Sequence, residues 1–210
     1  MAKYTGPKCK QCRREMTALM LKGQRCLTDK CPLKGKKKYP PGPPKKRRAK
    51  MSDYAIQLRE KQKIRRTYGL LEKQFRRLFY DASRMKGVTG DNMISLLERR
   101  LDNTIYRMGL ASSRVQARQI VQHSHIFVNG RMVNIPSFKV KEGNKIEVNE
   151  KFKSNAMIDD SIKLAKAVDS VPEWVEMDFE NRTGVISRLP LRSDVTANFN
   201  EQLVVELYSK

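Results

Sequence analysis

All four cysteines of this 210-residue chain lie within its first 31 positions: Cys9-x2-Cys12, a 13-residue gap, then Cys26-x4-Cys31. A stretch this short and polar cannot bury a core of its own, so its order must come from its thiols. A CxxC turn offers two sulfurs to one metal, and the gap lets the second pair return to it. The expectation is one structural Zn2+ on Cys9, Cys12, Cys26 and Cys31, standing in for a hydrophobic core. Lys8, Lys10, Arg13, Arg14, Arg25 and Lys30 flank the sulfurs and are expected to lower the thiol pKa values and offset a tetrathiolate charge. Three other readings stand beside this one. Two disulfides are disfavoured by the lack of an export signal. A thioredoxin-type pair lacks a βαβ context. Four unrelated reduced thiols fit the paired spacing poorly. A catalytic zinc needs an open position with His or carboxylate nearby, and the two histidines, His123 and His125, are far away in sequence.

The chain carries a formal net charge of +22, unevenly spread. Residues 1–50 hold 17 Lys or Arg against 2 acids, whereas residues 151–210 hold 8 against 10. Cations that meet phosphates release condensed counterions, so the first half is expected to make most of the contact with a polyanion. A membrane is not an expected partner. No stretch approaches the roughly 20 apolar residues of a span, and the basic region has no apolar anchor. Cytosolic residence is the expectation.

Residues 34–50 read KGKKKYPPGPPKKRRAK. The prolines forbid a helix and favour an extended or turning strap. Such a strap is a disordered basic linker in isolation and a segment that orders on RNA. Helical patterning follows. Ser52 or Asp53 caps a helix to about Thr67, with Tyr54, Leu58 and Gln62 inward. A second helix runs from Leu70 to about Met85 on Leu71, Phe75, Leu78 and Phe79. Its Arg76 and Arg77, with Lys73 and Arg84, face phosphate or form a solvated surface. A third runs from Asp91 to Met108, with Ile94, Leu97, Leu101, Ile105 and Met108 as a core stripe.

Residues 99–145 hold the most informative pattern. The third helix ends near Gly109, and Ser113 with Gln116 matches a capping box for a new helix, SRVQARQIVQ. Val115, Ile120 and Val121 point inward. Arg114 and Arg118, four apart, share a face beside a helix N-terminus suited to phosphate. A short strand at Ile126–Val128, a turn at Asn129-Gly130, a return strand at Met132 and Val133, and a strand around Ile146 and Val148 make a small sheet. Cations on one edge of such a unit follow the shape of A-form RNA through phosphates and 2′-hydroxyls. His123 and His125 alternate, and for each a contact with RNA and an ordinary partly buried histidine are equally favoured.

The segment RRLDNTIYRMGLASSRVQARQIVQHSHIFVNGRMVNIPSFKV resembles the S-four RNA-binding module. The flanks SDYAIQLREKQKIRRTYGLLEKQFRRLF and NEQLVVELYSK extend the resemblance to the S-four family of bacterial small-subunit ribosomal proteins, over essentially the whole chain. The cysteine pattern looks like the family's zinc-binding branch. The resemblance implies a structural, non-enzymatic constituent of the 30S subunit. Such a protein binds the 5′ domain of 16S rRNA, nucleates assembly and contributes to translational accuracy, with some members repressing their own mRNA. It implies RNA contacts at Ser113, Arg114, Gln116, Ala117, Arg118, His123, Val128, Asn129 and Gly130. It places Arg47, Arg48 and Lys50 near mRNA entering the subunit, with S-five and S-twelve as protein neighbours. Lys45, Lys46, Arg65, Arg66, Arg99 and Arg131 complete the RNA-facing candidates. Where the family carries Pro-Gly-Gln-His-Gly, this chain reads Pro41-Gly42-Pro43-Pro44.

The expected fold is α+β. Residues 1–45 form a zinc-binding basic segment, and 46–90 a helical domain completed by the tail 190–210. Residues 91–189 form an inserted S-four module with an α/β extension. In that extension a helix is expected at Asp159–Val168, a strand-like run from Pro172 to Phe179 with Trp174 in the core, and a partner strand at Val185–Leu189. Asp159 with Asp160, and Glu176 with Asp178, are read as caps or surface groups rather than paired catalytic acids. The acidic last quarter is expected to meet a neighbouring protein. An RNA-modifying enzyme with an S-four module would need a further catalytic domain, for which about 60 residues after position 150 are too few. No small-molecule substrate is expected.

Overall fold

The computed structural model describes residues 3–35, 39–43, 50–168 and 171–209. The chain forms two units, residues 1–93 with 197–210, and residues 94–196. The expected contacts of Lys45, Lys46, Arg47 and Arg48 lie outside the described residues.

The first unit holds the cysteine segment together with the helical one. Helix α1 (Lys8–Glu15) carries Cys9 and Cys12 and ends at Met16 in the left-handed region, φ 53°. A 3-10 turn follows at Gly23–Cys26. Helix α2 (Asp53–Thr67) starts where Ser52 Oγ accepts from the Ala55 N–H. Its inner side is Gln57, Lys61, Ile64 and Thr67, not the expected Tyr54, Leu58 and Gln62; Tyr54 is 59% exposed. Two polar groups turn inward because partners await them: Gln57 donates to Glu206, and Lys61 to Glu72 at 2.7 Å. Helix α3 (Glu72–Ser83) buries Phe75, Leu78, Phe79 and Ala82. The C-terminal helix, α9 (Glu201–Tyr208), packs on α2. Its Tyr208 ring lies 4.6 Å from Phe79, and the Tyr208 hydroxyl donates to Glu72. Burial pushes that phenol far above its ordinary range, so it stays a donor at any working pH.

The expected long third helix is two. Helix α4 (Thr89–Glu98) stops, and α5 (Leu101–Arg107) starts in a new direction. Arg100 between them is extended and bridges to Lys139. Leu101 N–H donates to Phe138 O, Asp102 N–H to Pro136 O and Val140 N–H to Arg99 O. Strand-like bonds with residues 136–140 therefore outcompete helix propagation, although the apolar stripe Ile94, Leu97, Leu101, Ile105 and Met108 is fully buried. Gly109 follows at φ +74°, and a Cβ there would lie 2.4 Å from that of Ala165, so both conformation and space demand glycine.

Helix α6 (Arg114–Gln122) is capped by Ser113, whose Oγ accepts from Gln116 N–H. Strands β1 (Ile126–Val128), β2 (Arg131–Met132) and β3 (Lys145–Val148) follow. The chain continues through α7 (Glu150–Lys153), α8 (Ala156–Val168), β4 (Val175–Asp178) and β5 (Thr183–Ile186). All five strands form one antiparallel sheet in the order β2-β1-β3-β5-β4. The last hairpin is thus fused to the first three strands through the pairing of β3 with β5, whereas the sequence pairs β5 with β4 alone and leaves β3 in the first small sheet. Ile126, Val128, Ile146, Val148 and Ile186 face α5, α6 and α8 across one core that also holds Trp174.

Candidate nucleic-acid interface

The end of α4, helix α5 and the start of α6 bring a group of ionic side chains together. Glu98, 0% exposed, accepts from Arg107 Nε at 2.8 Å and Nη2 at 2.9 Å. Its Oε2 also accepts from Asn103 Nδ2 at 2.7 Å, and Asn103 Oδ1 accepts from Arg114 Nε at 2.7 Å. The Arg114 guanidinium lies 4.5 Å over the Tyr106 ring. Beside it, the buried Asp102 accepts from Arg100 at 3.1 and 2.7 Å and from Arg118 at 3.3 Å. Two carboxylates thus accept from three guanidiniums, and a fourth, that of Arg114, is held through Asn103. The Ser113–Gln116 pattern holds with a variation. Gln116 Oε1 accepts from the N–H and hydroxyl of Ser112, not from the Ser113 N–H.

The four-residue spacing of Arg114 and Arg118 does not give two outward cations. Arg118 is 6% exposed, its guanidinium turned to Asp102, and burial pulls its pKa below the ordinary arginine value. Val115, expected inside, is 38% exposed, so α6 is rotated relative to the expected face. Other candidates also turn inward. Arg99 donates to Val140 O. Arg65 donates to Gln62 and Leu70 O, and Arg66 pairs with Glu15 of α1. Asn129, at φ 51°, shapes the β1–β2 turn, and its Oδ1 accepts from Lys145 N–H at 2.8 Å. Lys50, Arg76, Arg77, His123 and Arg131 are exposed. Arg76 lies 5.6 Å over the exposed Tyr80 ring, a cation and an aromatic face side by side on α3. His125 stacks on Phe152 at 3.9 Å, nearly coplanar. Burial and the neighbouring His123 hold it below the ordinary histidine pKa, so it is neutral near pH 7.

Missing from the sequence-derived candidates are Glu98, Arg100, Asp102, Asn103, Tyr106 and Arg107. The signal available for them is the run of acids and arginines among polar residues in ERRLDNTIYR.

Cys9, Cys12, Cys26 and Cys31 are free thiols and line one hollow together with Leu21 and Leu33. Lys22 N–H donates to Cys26 Sγ at 3.3 Å. Burial, with mutual repulsion among the four sulfurs, pushes the Cys12 and Cys26 thiols up; the expected lowering by nearby cations does not prevail there. Among the described residues no three or more His, Cys, Asp or Glu side chains converge in metal-binding geometry.

A mixed α/β unit with guanidiniums fixed by buried carboxylates follows a strongly basic helical unit in a protein of the S4-domain class. The model of the Ribosomal protein S4/S9 N-terminal domain matches residues 3–98, and that of the S4 domain matches residues 99–146. The small ribosomal subunit protein uS4 of Geotalea daltonii is 54% identical over the full length of both chains. Those of Geobacter sulfurreducens and Magnetococcus marinus are 52% and 53% identical, again over all of both chains. The chain belongs to the uS4 family of small ribosomal subunit proteins.

Proposed function

We propose that this protein is a structural, non-enzymatic constituent of the 30S subunit in the cytoplasm that binds the 5′ domain of 16S rRNA. There it nucleates assembly and contributes to translational accuracy. The observation that carries the reading is identity to uS4 relatives that runs unbroken through both units. The exposed cations of α3, and Arg114 held by the buried Asn103, supply what the function needs: cations on rigid elements. Filter binding of the full-length protein to the isolated 5′ domain of 16S rRNA, against an equal length of its 3′ domain, tests it. Clear preference for the 5′ domain at physiological salt is expected; equal retention of both would defeat the reading.

The finer assignments rest on the same footing. The cysteine hollow supports one structural Zn2+: four sulfur donors share it, and an N–H steadies one sulfur. Cys12→Ser should then release one equivalent of zinc and loosen residues 1–45. Purified protein without zinc would remove the assignment. Arg47, Arg48 and Lys50 are the residues suited to mRNA entering the subunit. S-five and S-twelve are the protein neighbours implied by family resemblance, with the acidic surface around Glu176 and Asp178 as a docking face.

A further inference from the structure

We propose that Asn103 and Tyr106 are positioning residues that orient Arg114 toward an RNA phosphodiester, an inference that rests on the RNA-binding reading above. Arg114 opens α6, and a long, flexible side chain there would sample many rotamers. Two contacts restrict it. Its Nε donates to Asn103 Oδ1 at 2.7 Å, and its Cζ lies 4.5 Å from the Tyr106 ring centroid. A hydrogen bond at Nε and a ring under the flat face together fix the plane in which the Nη fork lies. That fork is what meets a phosphate bidentately.

Asn103 can serve in this way because its own amide cannot turn over. Nδ2 sits between Glu98 O at 3.1 Å and Glu98 Oε2 at 2.7 Å. A flipped amide would aim its carbonyl at two acceptors and its NH2 at a cation. Glu98 is in turn held at both oxygens by Arg107. The order therefore runs Arg107 to Glu98 to Asn103 to Arg114, entirely within the second unit.

The test is binding of the full-length protein to the 16S 5′ domain over a salt titration, with thermal melts of every variant. Asn103→Ala should weaken binding about 3- to 10-fold, the effect of releasing one ordered side chain. Arg114→Gln should weaken binding and reduce the salt slope by about 0.7–0.9, one phosphate contact. The decisive comparison is the double variant: with Arg114→Gln in place, Asn103→Ala should cause no further loss of affinity. Tyr106→Leu should lose more affinity than Tyr106→Phe, which keeps the ring face, and that difference too should vanish with Arg114→Gln. The Tyr106 pair carries the test if Asn103→Ala does not fold. Losses that persist undiminished in the Arg114→Gln background, or an Arg114→Gln protein that binds like wild type, would overturn the positioning role alone. A wild-type protein without preference for the 5′ domain would overturn the RNA reading and this inference together.

Discussion

A cation's value to a polyanion depends on whether its charge is already spent inside the protein. Arg118 and Arg100 share Asp102 in surroundings under a tenth exposed, whereas Arg131 stands in solvent at the β1–β2 turn. The two kinds of site predict opposite phenotypes. Asp102→Ala removes the carboxylate that both buried guanidiniums share, and should destabilise the second unit by about 3 kcal/mol. Arg131→Ala should change stability by less than about 0.5 kcal/mol and act on RNA affinity instead. Urea unfolding followed by the fluorescence of Trp174, the lone tryptophan and itself in the second unit, measures both. A flat response to Asp102→Ala would mean that the carboxylate matters little to this core. Sequence spacing identified the arginines but not their destinations. An i, i+4 relation fixes which residues share a helical face, not how far that face is rotated into the core.

At the scale of elements, the legible parts were those governed by local rules. The Ser52 and Ser113 caps, the Asn129-Gly130 turn and the apolar periodicity of α3 each depend on a few neighbouring residues, and each forms where the pattern placed it. What failed were features set from a distance. The break between α4 and α5 comes from residues 136–140, about 40 positions later, and the union of both hairpins into one sheet depends on β3 meeting β5. The loop after β5 carries a pH prediction of its own. Arg188 donates to Asp194 at 2.6 and 2.8 Å, and Leu191 N–H donates to Asp194 Oδ2 at 2.8 Å. The Arg188 bonds come first among the causes that hold this carboxyl below its ordinary 3.8. A depressed carboxyl stabilises the fold fully above its unfolded pKa, and the contribution is lost as pH falls through the folded one. Asp194→Asn should therefore lower the urea midpoint at pH 6 and converge on wild type as pH drops below about 4. A gap that stays constant down to acid would show that the side chain's bonds act independently of its charge.

Across the whole molecule, charge and structure are divided along the same line. Residues 1–93 with 197–210 hold 28 Lys or Arg against 9 acids, a net of +19, while residues 94–196 hold 16 against 13, a net of +3. Much of the second unit's positive charge is committed to Glu98, Asp102, Asp159 and Asp194. The first unit should then dominate the salt dependence of RNA binding, and the second should contribute a few fixed contacts around Arg114. Arg76→Ala with Arg77→Ala, two exposed cations of α3, should reduce the slope of log K against log salt by about 1.4–1.8. Lys163→Ala with Lys166→Ala removes the same formal charge from exposed positions on α8, yet should leave the slope close to wild type. Equal reductions from the two pairs would mean that net charge alone drives association, with no defined face. A reduction confined to the α8 pair would reverse the assignment of the units. The expected asymmetry follows from counterion release, which counts only cations brought up against phosphate and ignores those that stay in solvent.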